Sequence, residues 1–410
     1  MRACIACGCG LPEQPLMTLD HMPASAQNIP DGETVAADEG ITLNLCQCPS
    51  CGLVQFDCEP VDYYRDVIRA GGFSTTMVEL RRRQYRHLIE TWHLEGKKFV
   101  EVGCGRGEFL SVLTEFPVSA SGIEHKEDLV KIARENGLQV TCGFAETEET
   151  VFPDGPYDVF LSFNFLEHQP EPGVMLRCIR RNLREGGMGL ITVPSLEYIL
   201  QYDGYYELIH DHIAYYTFET LENLLTANGF EVLEREMVNR DTLSVIVRRT
   251  EGELAEEKSP AGEVPAGEVP AGGGAAPGSR RPAPVDVSGL AASHRYIDEE
   301  VNGLVDRLHS QGKTLAIWGA SHQGFTLAAT TRLGGKVSYI IDSAPFKQGR
   351  FAPASHLPIV APEHFFQEPA DAILIVAPGY TEEIASIIRE RFGKQVEILA
   401  LKSNHMETLR

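Results

Sequence analysis

Between residues 74 and 250 the apolar positions alternate between two periods, and that alternation predicts the architecture. Residues 74–93 have helical spacing, with Met77, Leu80, Tyr85, Leu88 and Ile89 available for one face. Short apolar runs follow at 99–102, 118–123, 157–163 and 189–194. Runs of this length without a polar face read as buried parallel strands. Helical stretches fall between and after them. One spans 174–183 and is closed by Gly186-Gly187; another spans 217–228 and is closed by Gly229, with Thr217 or Thr220 as its N-cap. Residues 230–233 and 243–247 form a late strand pair. Strands alternating with helices imply a parallel sheet covered on both faces.

The flanking segments differ. Residues 1–73 are rich in cysteine and turn residues and show little periodicity. Residues 251–286 repeat Pro-Ala-Gly-Glu-Val and continue into a Gly/Ala/Pro run that has nothing to build a core from, so they read as a solvated linker. Periodicity resumes in 287–410. There a helix at 294–311 leads to a strand at 314–318, a turn at 319–324 opens another helix, and a strand at 337–341 ends in Asp342; further strands lie at 372–377 and 396–400. The predicted organisation is an N-terminal module (1–73), an α/β domain (74–250), a linker (251–286) and a smaller Rossmann-like α/β domain (287–410).

The first strand of the larger domain ends in Glu101-Val-Gly-Cys-Gly-Arg-Gly107. Gly103, Gly105 and Gly107 permit a sharp turn against which a ligand can lie on bare backbone. Their spacing is not the Gly-x-Gly-x-x-Gly of a dinucleotide site. An acid at Glu101 repels a pyrophosphate and attracts a cation carrying an ammonium and a sulfonium. Glu124, at the end of the next strand, stands where a doubly wound fold puts the carboxylate that grips ribose hydroxyls. Together these residues predict S-adenosylmethionine (SAM) and a Rossmann-like class I SAM methyltransferase fold. Ala145, beside Phe144, is a candidate for the adenine edge. Asn164, with Glu167-His168, lies at the sheet edge where ligands bind. Gly319 to Gly324 with Asp342 leaves NAD as a weaker candidate in the last domain, because its glycine spacing is incomplete.

The first module carries Cys4-x-x-Cys7 and Cys48-x-x-Cys51-Gly, two knuckles that suit a structural Cys4 zinc with no open coordination position. Cys46 competes with Cys48, but only Cys48 repeats the spacing of Cys4 to Cys7. The chain has 410 residues, ten cysteines and a formal net charge of −22. The negative charge argues against nucleic acid as a partner. No run of apolar residues is long enough for a membrane span, and Met1 to Cys7 lacks the apolar region of a signal peptide. With reduced cysteines, this predicts a cytoplasmic protein.

Taken together, these motifs resemble the NDP-sugar C-methyltransferase family. The resemblance also rests on Thr18-Leu-Asp-His-Met-Pro-Ala, Cys48-Pro-Ser-Cys-Gly-Leu-Val-Gln55, His210-Asp-His-Ile-Ala-Tyr-Tyr-Thr217, Trp318-Gly-Ala and Ile341-Asp-Ser-Ala-Pro-Phe-Lys-Gln-Gly-Arg350. It implies methyl transfer from SAM to a carbon next to a ketone of a small acceptor, a keto-deoxysugar nucleotide being the family's type. It makes His212 the base that removes the α proton and puts Asp211 where the family has Glu; His210 is a rival base. The family's Tyr-x-Tyr pair is replaced by Val67 and Arg69, so Arg69 becomes the candidate to stabilise an enolate or hold an anion. That departure leaves open an O- or N-methyltransferase with a different small acceptor. A non-catalytic protein that binds SAM or NAD is a third reading.

Overall fold

The computed structural model describes residues 3–66, 74–252 and 283–409. Three strands open the chain, β1 (Met17–Met22), β2 (Ile41–Gln47) and β3 (Val54–Phe56), paired antiparallel in that order. In β1, Met17, Leu19 and Met22 are buried and Thr18 and Asp20 are exposed, the alternation of a sheet with one wet face. That signal was too short to stand out among the turn residues around it.

Helix α1 (Thr75–Trp92) begins where the Ser74 hydroxyl accepts the Met77 N–H and ends at His93, in the left-handed region at φ 53°. The elements that follow are β4 (Lys98–Val102), α2 (Glu108–Leu113), β5 (Ser119–Glu124), α3 (Glu127–Glu135), β6 (Val140–Cys142), β7 (Tyr157–Phe163), α4 (Pro172–Asn182), β8 (Leu183–Pro194), α5 (Leu196–Gln201), β9 (Ala214–Tyr215), α6 (Phe218–Ala227), β10 (Phe230–Val238) and β11 (Thr242–Arg249). Apart from β9 these strands form one sheet in the order β10-β11-β8-β7-β4-β5-β6. Strands β4 to β8 run parallel, and β11 is antiparallel to both its neighbours. This is the Rossmann-like class I methyltransferase sheet. The order in which strands are added reverses between β4 and β7, which opens a crevice at the carboxyl ends of the strands.

The end of α4 differs from the periodic reading. Helix α4 stops at Asn182, because Leu183 is extended and pairs with Tyr157; the register shift between Tyr157 and Val159 absorbs Gly186-Gly187 into β8. The Thr217 side chain does cap α6, and Thr220 closes a reciprocal capping box with it.

The last unit contains α7 (Ser288–Ser310), β12 (Leu315–Trp318), α8 (His322–Thr330), β13 (Ile340–Ile341), β14 (Ile359–Val360), β15 (Ala372–Ile375), α9 (Thr381–Arg391), β16 (Glu397–Lys402) and β17 (His405–Leu409). Helix α7 starts six residues before the expected 294. The sheet order is β14-β13-β12-β15-β16-β17, with only β17 antiparallel among the described strands. Gly319 is required here: at φ 125° a Cβ would meet the Val376 carbonyl oxygen at 2.5 Å.

The units share packing. Strand β9 leaves the catalytic sheet and pairs with β3, and the Phe56 N–H donates to the Ile213 carbonyl at 3.0 Å. One apolar cluster joins Leu19, Leu43 and Phe56 of the first sheet, Tyr205 and Tyr215 of the middle segment, and Leu304 and Phe325 of the last unit. Such a continuous core resists independent motion of its parts.

Candidate functional site

The glycine turn after β4 has left-handed backbone at all three expected positions, with φ of 74°, 60° and 81° at Gly103, Gly105 and Gly107. Space adds to the need for glycine. A Cβ on Gly103 would meet the Phe165 ring at 3.3 Å, and one on Gly107 would meet Leu138 Cδ1 at 2.2 Å. Glu101 is fully buried in β4. Glu124 holds the turn in place: one carboxylate oxygen accepts the Gly105 N–H at 2.8 Å and the other accepts the Lys126 N–H at 3.0 Å. These are charge-assisted bonds.

A crevice opens beside the turn, lined by Val102, Gly103, Ile123, Glu124, Phe144 and Phe165 among others. Ala145 is buried next to Phe144. Asn164 has φ 47°, and its side-chain oxygen accepts the Thr192 hydroxyl at 2.9 Å, so it is held at the end of β7. Spacing gave no sign of the outer wall, which is Arg65 from the N-terminal segment. Its guanidinium lies 5.2 Å from the Phe144 ring centre and 2.9 Å from a Glu146 carboxylate oxygen. Arg69 and Val67 lie outside the described residues.

The loop that brings Phe165 to the crevice continues into a single 3-10 turn at Leu166–His168. His168 is buried there, with its ring centre 4.8 Å from that of His212. The His168 Nδ1–H donates to the Asp211 backbone carbonyl at 2.6 Å, which leaves Nε2 as the unprotonated nitrogen of a neutral ring. Burial holds the His168 pKa below the ordinary imidazole value. The His212 pKa is held well below it, first by burial and then by His168 and His322 nearby. His322 belongs to the first turn of α8, so the last unit reaches this site. Its Nε2 lies 3.2 Å from a Glu207 oxygen, and the Gln323 amide donates to the other Glu207 oxygen at 2.6 Å.

Asp211 does not turn its carboxylate to the His212 ring. One oxygen accepts the Tyr63 hydroxyl at 2.7 Å and the other accepts the Ala26 N–H at 2.9 Å. Burial and this carboxylate push the Tyr63 phenol up. Tyr63, out of register with the family pair, thus reaches the site through Asp211. His210 has both ring nitrogens against backbone carbonyls, of Ala24 at 2.7 Å and Glu59 at 2.8 Å. It ties the N-terminal segment down, and neither nitrogen is left to accept an acceptor's proton.

Cys4, Cys7, Cys48 and Cys51 converge, with Cys4 and Cys51 sulfurs 3.5 Å apart and Cys7 and Cys48 sulfurs 3.5 Å apart. A tetrahedron of zinc–sulfur bonds of about 2.3 Å has edges of about 3.8 Å, so the four thiols fit one ion. The knuckles are tight turns: the Gly8 N–H donates to the Cys4 carbonyl at 2.8 Å and the Gly52 N–H to the Cys48 carbonyl at 3.0 Å. Cys46 is buried outside the group. Among the described residues no helix is long and apolar enough to cross a membrane.

Comparison with known proteins follows the same division. Residues 77–235 match the family description "Methyltransferase domain", and residues 287–399 match "C-methyltransferase C-terminal domain". The C-methyltransferase NovU of Streptomyces niveus is 24% identical over 380 residues, covering 90% of this chain and 88% of its own. A ubiquinone biosynthesis O-methyltransferase of Thiobacillus denitrificans is 30% identical over 125 residues, 26% of this chain and about half, 54%, of the relative. The PH0226 protein of Pyrococcus horikoshii, a solved structure, overlaps at a TM-score of 0.38 with 17% identity, covering 46% of this chain and 99% of that one. The match to NovU runs through all three units, and the last unit matches a description specific to carbon methylation. The chain is a SAM-dependent methyltransferase, similar over most of its length to a C-methyltransferase and carrying a match to the C-methyltransferase C-terminal domain.

Proposed function

We propose that the protein methylates a carbon next to a ketone in a small natural-product acceptor, an NDP-linked keto-deoxysugar, with His212 as the base. One observation carries this reading. A single loop lines the cofactor crevice through Phe165 and packs His168 against His212. A neutral imidazole therefore stands beside the place where the methyl donor belongs.

Bound SAM would supply an electrophilic methyl group, and the residues of the chain do the rest. Glu101 and Glu124 favour the cationic donor and its ribose hydroxyls. Gly103, Gly105 and Gly107 let it lie against backbone, with Ala145 beside Phe144 as the candidate for the adenine edge and Asn164 as a candidate at the end of β7. His212, kept neutral because its partial burial lowers its pKa, removes the α proton of the acceptor. His168 is oriented by the Asp211 carbonyl and fixes the His212 ring by contact. Asp211 is a positioning residue, tying Tyr63 and the N-terminal segment to the site. His322 and Gln323 bring the last unit to the acceptor side. The Cys4 group holds a structural zinc, and Arg69 remains the candidate for an anionic part of the acceptor. The domain limits 1–73, 74–250, 251–286 and 287–410, and a cytoplasmic location, belong to the same reading.

Incubation with methyl-labelled SAM and a panel of keto NDP-sugars tests it. Carbon-bound label in a sugar nucleotide is the expected product. Label on oxygen or nitrogen of another small molecule would replace this reading with the alternative one.

A further inference from the structure

We infer that Glu167, His168 and His212 form a binding site for a divalent transition metal, zinc above all, and that an ion held there removes His212 from service as a base. The binding stands on geometry alone; its consequence rests on the role of His212 proposed above.

The trio offers one carboxylate oxygen and two ring nitrogens, all within 4.8 Å of one another. Two of them are already close, with His168 Nε2 3.8 Å from Glu167 Oε1. A tetrahedral ion with bonds of about 2.0–2.2 Å needs its ligands about 3.3–3.6 Å apart. Side-chain shifts on the order of 1 Å would meet that need. Two histidines and a carboxylate are a familiar zinc donor set, one that leaves a fourth position open.

The surroundings favour an ion over a plain packing cluster. A metal-bound histidine usually donates its other ring N–H to a carbonyl or carboxylate, which fixes the tautomer and aims the lone pair. His168 makes that bond to the Asp211 carbonyl at 2.6 Å. Its backbone N–H donates to the Phe165 carbonyl at 3.2 Å, so the turn carrying Glu167 and His168 is rigid. Both are buried, whereas His212 is half-buried. The open position therefore faces the His212 side, where the acceptor belongs. Occupying the His212 ring nitrogen with a metal takes away the lone pair that would receive the acceptor's proton.

The test uses the full chain carrying one zinc per molecule by elemental analysis, which accounts for the cysteine group. Zinc is then titrated calorimetrically, with methyl transfer followed in parallel. One further equivalent should bind, and transfer should be lost as it fills and return when a mild chelator removes only that equivalent. Glu167→Gln and His168→Asn should each lose the second equivalent while still binding SAM, which shows that they remain folded. Absence of a second equivalent would overturn the site, as would a second equivalent untouched by both substitutions. Transfer that continues or rises as the site fills would overturn the inhibition. If the chain transfers no methyl group to any ketone acceptor, the titration still reads the site, so the two readings fail separately.

Discussion

A general base has to be neutral before it can take a proton, and burial keeps His212 neutral. Because its pKa is lowered, the neutral form persists as the pH falls. The acid limb of kcat/KM should therefore lie below about pH 6.5, the ordinary imidazole value; a limb at or above that value in a pH–rate profile would count against His212. Replacing His212 by Asn should reduce kcat by about 10²–10⁴-fold, the usual worth of general base catalysis, with SAM affinity kept in a calorimetric titration. Gly107 faces a different constraint. Gly107→Ala forces a Cβ toward Leu138 at a φ of 81°, which should cost about 1–3 kcal/mol of stability in denaturant unfolding and weaken SAM binding. Glu101, the three glycines and the cysteine knuckles were legible in the sequence because each is a local pattern with a local cause. Glu207, His322 and Gln323 were not, since they meet across more than a hundred residues of chain. Tyr63 is out of register with the family's tyrosine pair, yet register along the chain does not limit where a hydroxyl reaches once the segment folds back.

At the scale of elements, the short strand β9 joins two units whose sheets are otherwise separate. It starts two residues after His212 and pairs with β3, so the cysteine module helps to position His212, the proposed base. Stripping the cysteine group with a strong chelator should lower the melting temperature and abolish methyl transfer before SAM binding is lost, because the glycine turn belongs to a different sheet. Thermal unfolding with and without chelator, beside a SAM titration, reads both effects. Tyr63→Phe tests the same link more gently. It deprives the buried Asp211 carboxylate of a donor, and should cost about 1–3 kcal/mol in denaturant unfolding. The parallel strands were legible because an apolar run buried on both faces leaves a plain signal. Strands β1 to β3 and β9 were not: they are short, half-wet or only two residues long. The boundary between α4 and β8 departs from the periodic pattern for another reason. A glycine pair serves a bulge as readily as a helix end, and only the pairing partner decides between them.

At the scale of the molecule, the described residues form three sheets, and the last unit reaches the neighbourhood of His212 through the first turn of α8. Its packing against the first sheet and the Tyr205 segment supports the proposal that it takes part in the acceptor site. Glu207→Ala removes the partner of both His322 and Gln323. It should raise the KM for the acceptor while leaving the SAM dissociation constant unchanged, a split that a general loss of stability would not produce. The order of the units was legible from where periodicity stops and resumes. Their mutual packing was not, because a shared core has no signature along any one segment.

The most direct measurement is transfer from SAM labelled in its methyl group to a keto NDP-sugar deuterated at the carbon next to the ketone. The proposed mechanism predicts a new carbon-bound methyl at that position and loss of the deuterium. A methylated product that keeps the deuterium there, with the label on oxygen or nitrogen, would contradict it.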